Sequence, residues 1–219
     1  MKNALRELLV ERRLDLVRER ALETRRVLGT LLSLTYDADP LIAWRAVEAM
    51  GEAAEALADG HRHYVREHLR RLFWLITEES GAICWRAPEG MAEVVRRRPD
   101  LFGEYVPIVA HLLVEMAEED LQHFRPGILW AMGRLGPLAA DVMADVGDRV
   151  LAALDHGDAQ VRGMAVWCLG EVGRASALAG RHDLASDRGE VILFHEGTLR
   201  RTTVAGLLSE AVHGVTPEG

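Results

Sequence analysis

Apolar residues recur along most of this chain at steps of three and four, the period of an amphipathic helix. In the first 30 residues Leu5, Leu8 and Leu9, then Leu14, Val17 and Leu22, alternate with Arg and Glu, which predicts one or two short helices. A second apolar stretch at 27–36 leads into Asp37-Ala38-Asp39-Pro40. Asp39 as N-cap with Pro40 at the first helical position is a start signal, because the cap accepts an orphan amide and proline has none to lose there. The next helix is therefore placed from about Leu41 through Met50. A further helix at about 62–79 carries Tyr64, Leu69, Leu72, Phe73 and Ile76 on one stripe and breaks at Ser80-Gly81. Another runs over about 104–119 after Arg98-Pro99-Asp100, a helix through Met132 stops at Gly136-Pro137, and a less regular one lies within 138–155. After Gly180 the period changes. EVILFH at 190–195 and TLRRTT at 198–203 flank Glu196-Gly197, a two-residue hairpin connection, with Thr203 capping a last helix through Val212.

Four segments of this pattern are near copies: IAWRAVEAMGEA at 42–53, ICWRAPEGMAEV at 83–94, RPGILWAMGRLG at 125–136 and VRGMAVWCLGEV at 161–172. Aligned on Met50, Met91, Met132 and Leu169, they are 41, 41 and 37 residues apart, a period of helical solenoids. The expected fold is all-α: a right-handed α-α superhelix of four to five helix pairs with a small C-terminal β-hairpin and helix. The expected organisation is 1–30 as capping helices, 31–180 as the repeat array, and 181–219 as hairpin (190–203) plus helix (204–213) packed on that array. Pro88 breaks the copy where Val47, Leu129 and Val166 stand; it must sit in a first helical turn or kink its helix.

Asp158, Val161, Arg162, Ala165, Leu169 and Gly170 reproduce the second-helix pattern of HEAT-like repeats, so residues 24–175 resemble the PBS-lyase HEAT-like repeat family. The resemblance covers the repeat consensus and no catalytic residue. It implies an armadillo-like fold, and that Arg125 and Arg162 hydrogen-bond neighbouring repeats.

Composition narrows function. Of 219 residues 49% are hydrophobic and 27% charged, enough for a buried interior. No apolar run reaches the roughly 20 residues of a membrane helix, and MKNALRELLVERR lacks a signal-peptide core, so the expected location is cytoplasmic. Cys84 and Cys168 each sit beside a tryptophan on a repeated apolar segment and read as buried free thiols. A net charge of -8 argues against a nucleic-acid backbone as the main partner. Charge is uneven: residues 1–30 hold eight basic and five acidic side chains, whereas 104–123 hold five acids and no Lys or Arg. Lys2 is the only lysine, so positive charge is nearly all guanidinium.

Trp44, Trp85, Trp130 and Trp167 differ in register by zero or four positions, one helical turn, and so project toward a similar face. The structural reading is core packing, strongest for Trp130 and Trp167, whose neighbours are apolar. WR(x2)E at 44–48 and 85–89 places an aromatic ring, a guanidinium and a carboxylate together. That group can stack a planar ligand and hold its polar edge, or form an ion pair between repeats under a tryptophan lid. The irregular stretch 79–90 is the leading site candidate, with Glu79, Ser80, Trp85, Arg86 and Glu89 near a helix start; Trp44, Glu48, Arg125 and Trp130 complete the candidate set. No catalytic residue, metal ligand or cofactor is assigned. His61, His63 and His68 crowd one helix start and His63 and Glu67 share a face, but two ligands at ordinary spacing do not define a site. HEAT-like hydroxylases bind two irons through His-Glu pairs on helices, whereas the one His-Glu dipeptide here, His195-Glu196, falls on the hairpin. Walker, dinucleotide and G-x-S-x-G fingerprints are absent.

The expected function is a non-enzymatic module that binds or scaffolds another protein, acting as a monomer or as a homodimer through the hairpin. One alternative is a small-molecule binder using the Trp/Glu/Arg group. The other is a DNA-binding protein like the alkylpurine glycosylases, in which Trp85, Glu89, Trp130 and Arg125 would cradle a damaged duplex.

Overall fold

Asp39 accepts the Leu41 amide at 2.9 Å and Pro40 opens the helix behind it, so the cap signal in the sequence is the local cause of the longest helical element. In the computed structural model, which describes residues 1–77, 86–118 and 122–213, that element runs Pro40–Thr77 and breaks at His61 (φ -140°, ψ 38°), separating the two helices expected there. Among the described residues the chain is 77% helical with one two-stranded antiparallel sheet. It forms two compact units: Met1–Tyr105 with Glu196–Thr198, and Val106–His195 with Leu199–Gly219.

The first unit contains α1 (Lys2–Val10), α2 (Leu14–Glu23), α3 (Arg26–Leu34), α4 (Pro40–Thr77), α5 (Ala87–Arg97) and α6 (Pro99–Phe102). Of the apolar stripe expected in α1 and α2, Leu5, Leu9 and Val17 are buried, but Leu22 is exposed and Ala21 takes its inward place. α4 packs on α2, α3 and α5. Pro88 lies in the first turn of α5, where its missing amide costs nothing, so the second signature helix starts late instead of kinking.

The second unit contains α7 (Val106–Glu118), α8 (Arg125–Leu135), α9 (Met143–Ala153), α10 (Ala159–Glu171), α11 (His182–Ala185), α12 (Val204–His213) and most of the hairpin formed by β1 (Glu190–His195) and β2 (Thr198–Thr203). Gly136 ends α8 at φ +57°, Asp158 accepts the Gln160 amide to start α10, and Thr203 accepts the Gly206 amide to start α12. α10 is central to this unit, packing on α8, α9, β1 and α12. Glu196 and Gly197 both have positive φ (49° and 75°), the type I′ geometry that matches strand twist.

The four alignment residues Met50, Met91, Met132 and Leu169 are all buried. The glycine that follows three of them faces a neighbouring helix at short range. A Cβ on Gly51 would lie 2.7 Å from the Glu93 carbonyl oxygen of α5, and one on Gly170 3.0 Å from Ala211 of α12. A Cβ on Gly133 would fall into the Trp167 ring of α10.

Candidate functional site

Trp44 and Glu48 lie one turn apart on α4, and Arg86 and Glu89 lie at the start of α5. Packing of α4 on α5 brings three of these together. The Arg86 guanidinium stacks over the Trp44 ring at 3.9 Å from its centroid, and Arg86 Nη1 donates to Glu89 Oε1 at 3.1 Å. The ring is thus served by an arginine of the next signature segment, not by its own neighbour. Arg45 instead donates to the carbonyl oxygens of Leu9, Val10 and Gly197, tethering the α1 end.

Glu48 belongs to a different contact. Arg12 Nη2 and Nε donate to its two oxygens at 2.7 and 3.2 Å. Arg12 itself has φ +53°, a conformation costing a non-glycine residue about 1 kcal/mol or more, so this bidentate pair helps hold a turn the backbone would not choose unaided. The sequence showed no sign of it, since Arg12 is 36 positions from Glu48.

Glu89 is 1% exposed. Its Oε2 has no hydrogen-bond partner among the described residues, and burial pushes its pKa up against the opposing pull of Arg86. Glu93, one turn on, is also buried but accepts from Arg96 Nε at 2.9 Å. Beside it, Arg97 pairs with Glu52, and Arg18 reaches Glu52 and Glu55, an ion-pair network joining α2, α4 and α5. These carboxylates are committed to structural partners, and among the described residues no group of three or more His, Cys, Asp or Glu could hold a metal ion.

Glu79, Ser80 and Trp85 lie outside the described residues. Arg125 and Trp130 belong to the second unit. Arg125, at the start of α8, is half-buried and has no hydrogen bond or ion pair among the described residues. Arg162 donates to Asp187 at 2.7 Å in the C-terminal segment and to the carbonyl oxygens of His156 and Gly157, closing the turn before its own helix α10; these bonds are not the link to a neighbouring repeat that the resemblance implies. Trp130 is core. It is 1% exposed, stacks with Trp167 at 6.2 Å and donates its indole N–H to the Phe194 carbonyl oxygen at 2.9 Å. Trp44 is half-buried and so differs from both. Cys168 is buried, which pushes its thiol up to about 12, with Glu171 adding to the effect.

No helix among the described residues is long and apolar enough to cross a membrane. No family model matches the chain. An uncharacterized protein of Archaeoglobus fulgidus is 27% identical over 183 residues, which is 82% of this chain and 92% of that protein.

Proposed function

We propose that this chain is a cytoplasmic, non-enzymatic HEAT-like repeat protein, a right-handed α-α superhelix whose role is to dock a protein partner. The observation that carries the reading is the contrast among the signature tryptophans. Trp130 is sealed in the core and Trp167 stacks on it with 6% exposure, whereas Trp44 is half-buried beneath Arg86, which also pairs with Glu89. Tryptophan and arginine are the residue types that concentrate binding energy at interfaces, because each offers a large flat contact area with a polar handle. The repeated close approach at Gly51, Gly133 and Gly170 supports the repeat architecture, in which each unit packs on its neighbour and leaves an extended surface for a partner.

The test is direct binding of a partner captured from the native cell and then purified. Trp44→Ala and Arg86→Glu are expected to weaken it by about tenfold or more, the loss of one interface anchor, while each variant still melts cooperatively. Equal affinity for wild type and both variants, or the absence of any directly binding protein, would overturn the reading. Thermal-shift screening of metabolites separates it from the small-molecule alternative: a metabolite whose stabilisation is abolished by Trp44→Ala would favour that alternative instead.

A further inference from the structure

We propose that the cleft formed by α10, α12 and the hairpin in the second unit binds a small organic ammonium ion. The cleft has a volume of about 270 Å³, and its lining includes Trp167, Glu171, His195, Arg200, Leu207 and Glu210. None of these six belongs to the Trp44 site, so the proposal stands apart from the function proposed above.

The sign of the ligand follows from which charges are already used. Arg200 Nη1 donates to Glu210 Oε1 at 2.7 Å, and Nη2 donates to Oε2 of the same carboxylate. That fork-to-fork pair consumes the strongest cation and one of the two carboxylates. Glu171 is left. It is exposed and has no hydrogen bond or ion pair among the described residues. It also ends α10, where the last carbonyls carry the negative end of the helix dipole and where the last turn has no basic residue. A carboxylate in that position is electrostatically uncompensated, and a bound cation would compensate it. The contribution of Glu171 to holding the Cys168 thiol protonated agrees with a negative field inside this end of the helix.

Shape and wall chemistry set the rest of the ligand. Trp167 and Leu207 give the cleft an apolar side, and an indole is the best aromatic partner for an ammonium group. The volume lies just below the usual small-molecule range, which suits a ligand on the order of ten non-hydrogen atoms. An alkyl- or arylalkylamine meets these requirements: its ammonium faces Glu171 and its body lies against Trp167 and Leu207. An anion fits less well, because the charge of Arg200 is already paired with Glu210.

Isothermal titration of the full chain with phenethylamine, 2-phenylethanol and 3-phenylpropionate tests the proposal, since the three share a body and differ in head-group charge. Phenethylamine is expected to bind at millimolar concentration or better, and the alcohol and the acid about tenfold more weakly or not at all. Glu171→Gln removes the charge at an exposed helix end without disturbing the core, and is expected to weaken amine binding about tenfold. Glu19→Gln on α2, in the other unit, removes the same net charge and is expected to leave binding unchanged. The proposal fails if the amine does not bind, if the alcohol binds equally well, or if Glu171→Gln and Glu19→Gln behave alike.

Discussion

His68 is one of the few polar side chains inside the first unit, with its Nε2 3.3 Å from the Met50 sulfur. Burial pushes its pKa from 6.5 down to about 4, with Arg71 adding to the effect. The unfolded chain therefore takes up a proton below about pH 6.5 that the folded chain refuses until about pH 4, and stability falls through that window as the pH drops. At pH 4.5 the cost is about 2 kcal/mol. Denaturant melts of His68→Leu and wild type at pH 7 and pH 4.5 should show the wild type losing about 2 kcal/mol more than the variant over that interval. Glu89 works in the opposite direction: its raised pKa makes folding less favourable as pH climbs above the ordinary carboxylate range. The caps Asp39 and Thr203 were legible at this scale because they act on amides two or three residues away, and Asp158 caps α10 in the same way. The burial of Trp130 and Trp167 followed from their apolar neighbours, but the surroundings of Trp44 did not. Register places a ring on a helix face, but whether the ring is closed depends on what the next element lays over it, Arg86 for Trp44 and α8 for Trp167.

Among the helices, the glycines after Met50, Met132 and Leu169 are close-packed and Gly147 is not, so glycine-to-alanine changes should differ in sign with place. Gly133→Ala gains about 1 kcal/mol of helix propensity but drives a methyl into the Trp167 indole, a rigid ring already stacked on Trp130. Overpacking of that kind costs about 1–3 kcal/mol, so the net effect should be a loss. At Gly147 in α9 an added methyl would meet only Met143 Cε, at an ordinary contact distance of 3.7 Å, so Gly147→Ala should stabilise by about 0.5–1 kcal/mol. Thermal melts of the two variants should move in opposite directions. The repeat in the sequence marked the glycines after the alignment residues as equivalent without saying why they are glycine; the reason is interhelical distance, which no local pattern encodes.

For the molecule as a whole, the hairpin bears on assembly. The outward edge of β1 is already closed: Gln160 exchanges two 2.8 Å hydrogen bonds with Ile192, and Trp130 occupies the Phe194 carbonyl oxygen. A strand from a second copy would have to join at β2, and antiparallel β2–β2 pairing about the strand centre would set Arg200 of each copy opposite Arg201 of the other, a like-charge arrangement that disfavours it. Light scattering during size exclusion is therefore expected to give a monomer mass at high concentration, and a dimer abolished by Arg201→Pro would refute this. The chain's order of helices, its breaks and its hairpin were present in the amino-acid pattern, because period, caps and turn residues act over a few positions and need no partner. Which carboxylate meets which guanidinium, what lies over Trp44, and where a cleft forms beside Glu171 came from packing, because those pairings join residues tens of positions apart and depend on the distance and angle at which one helix meets another.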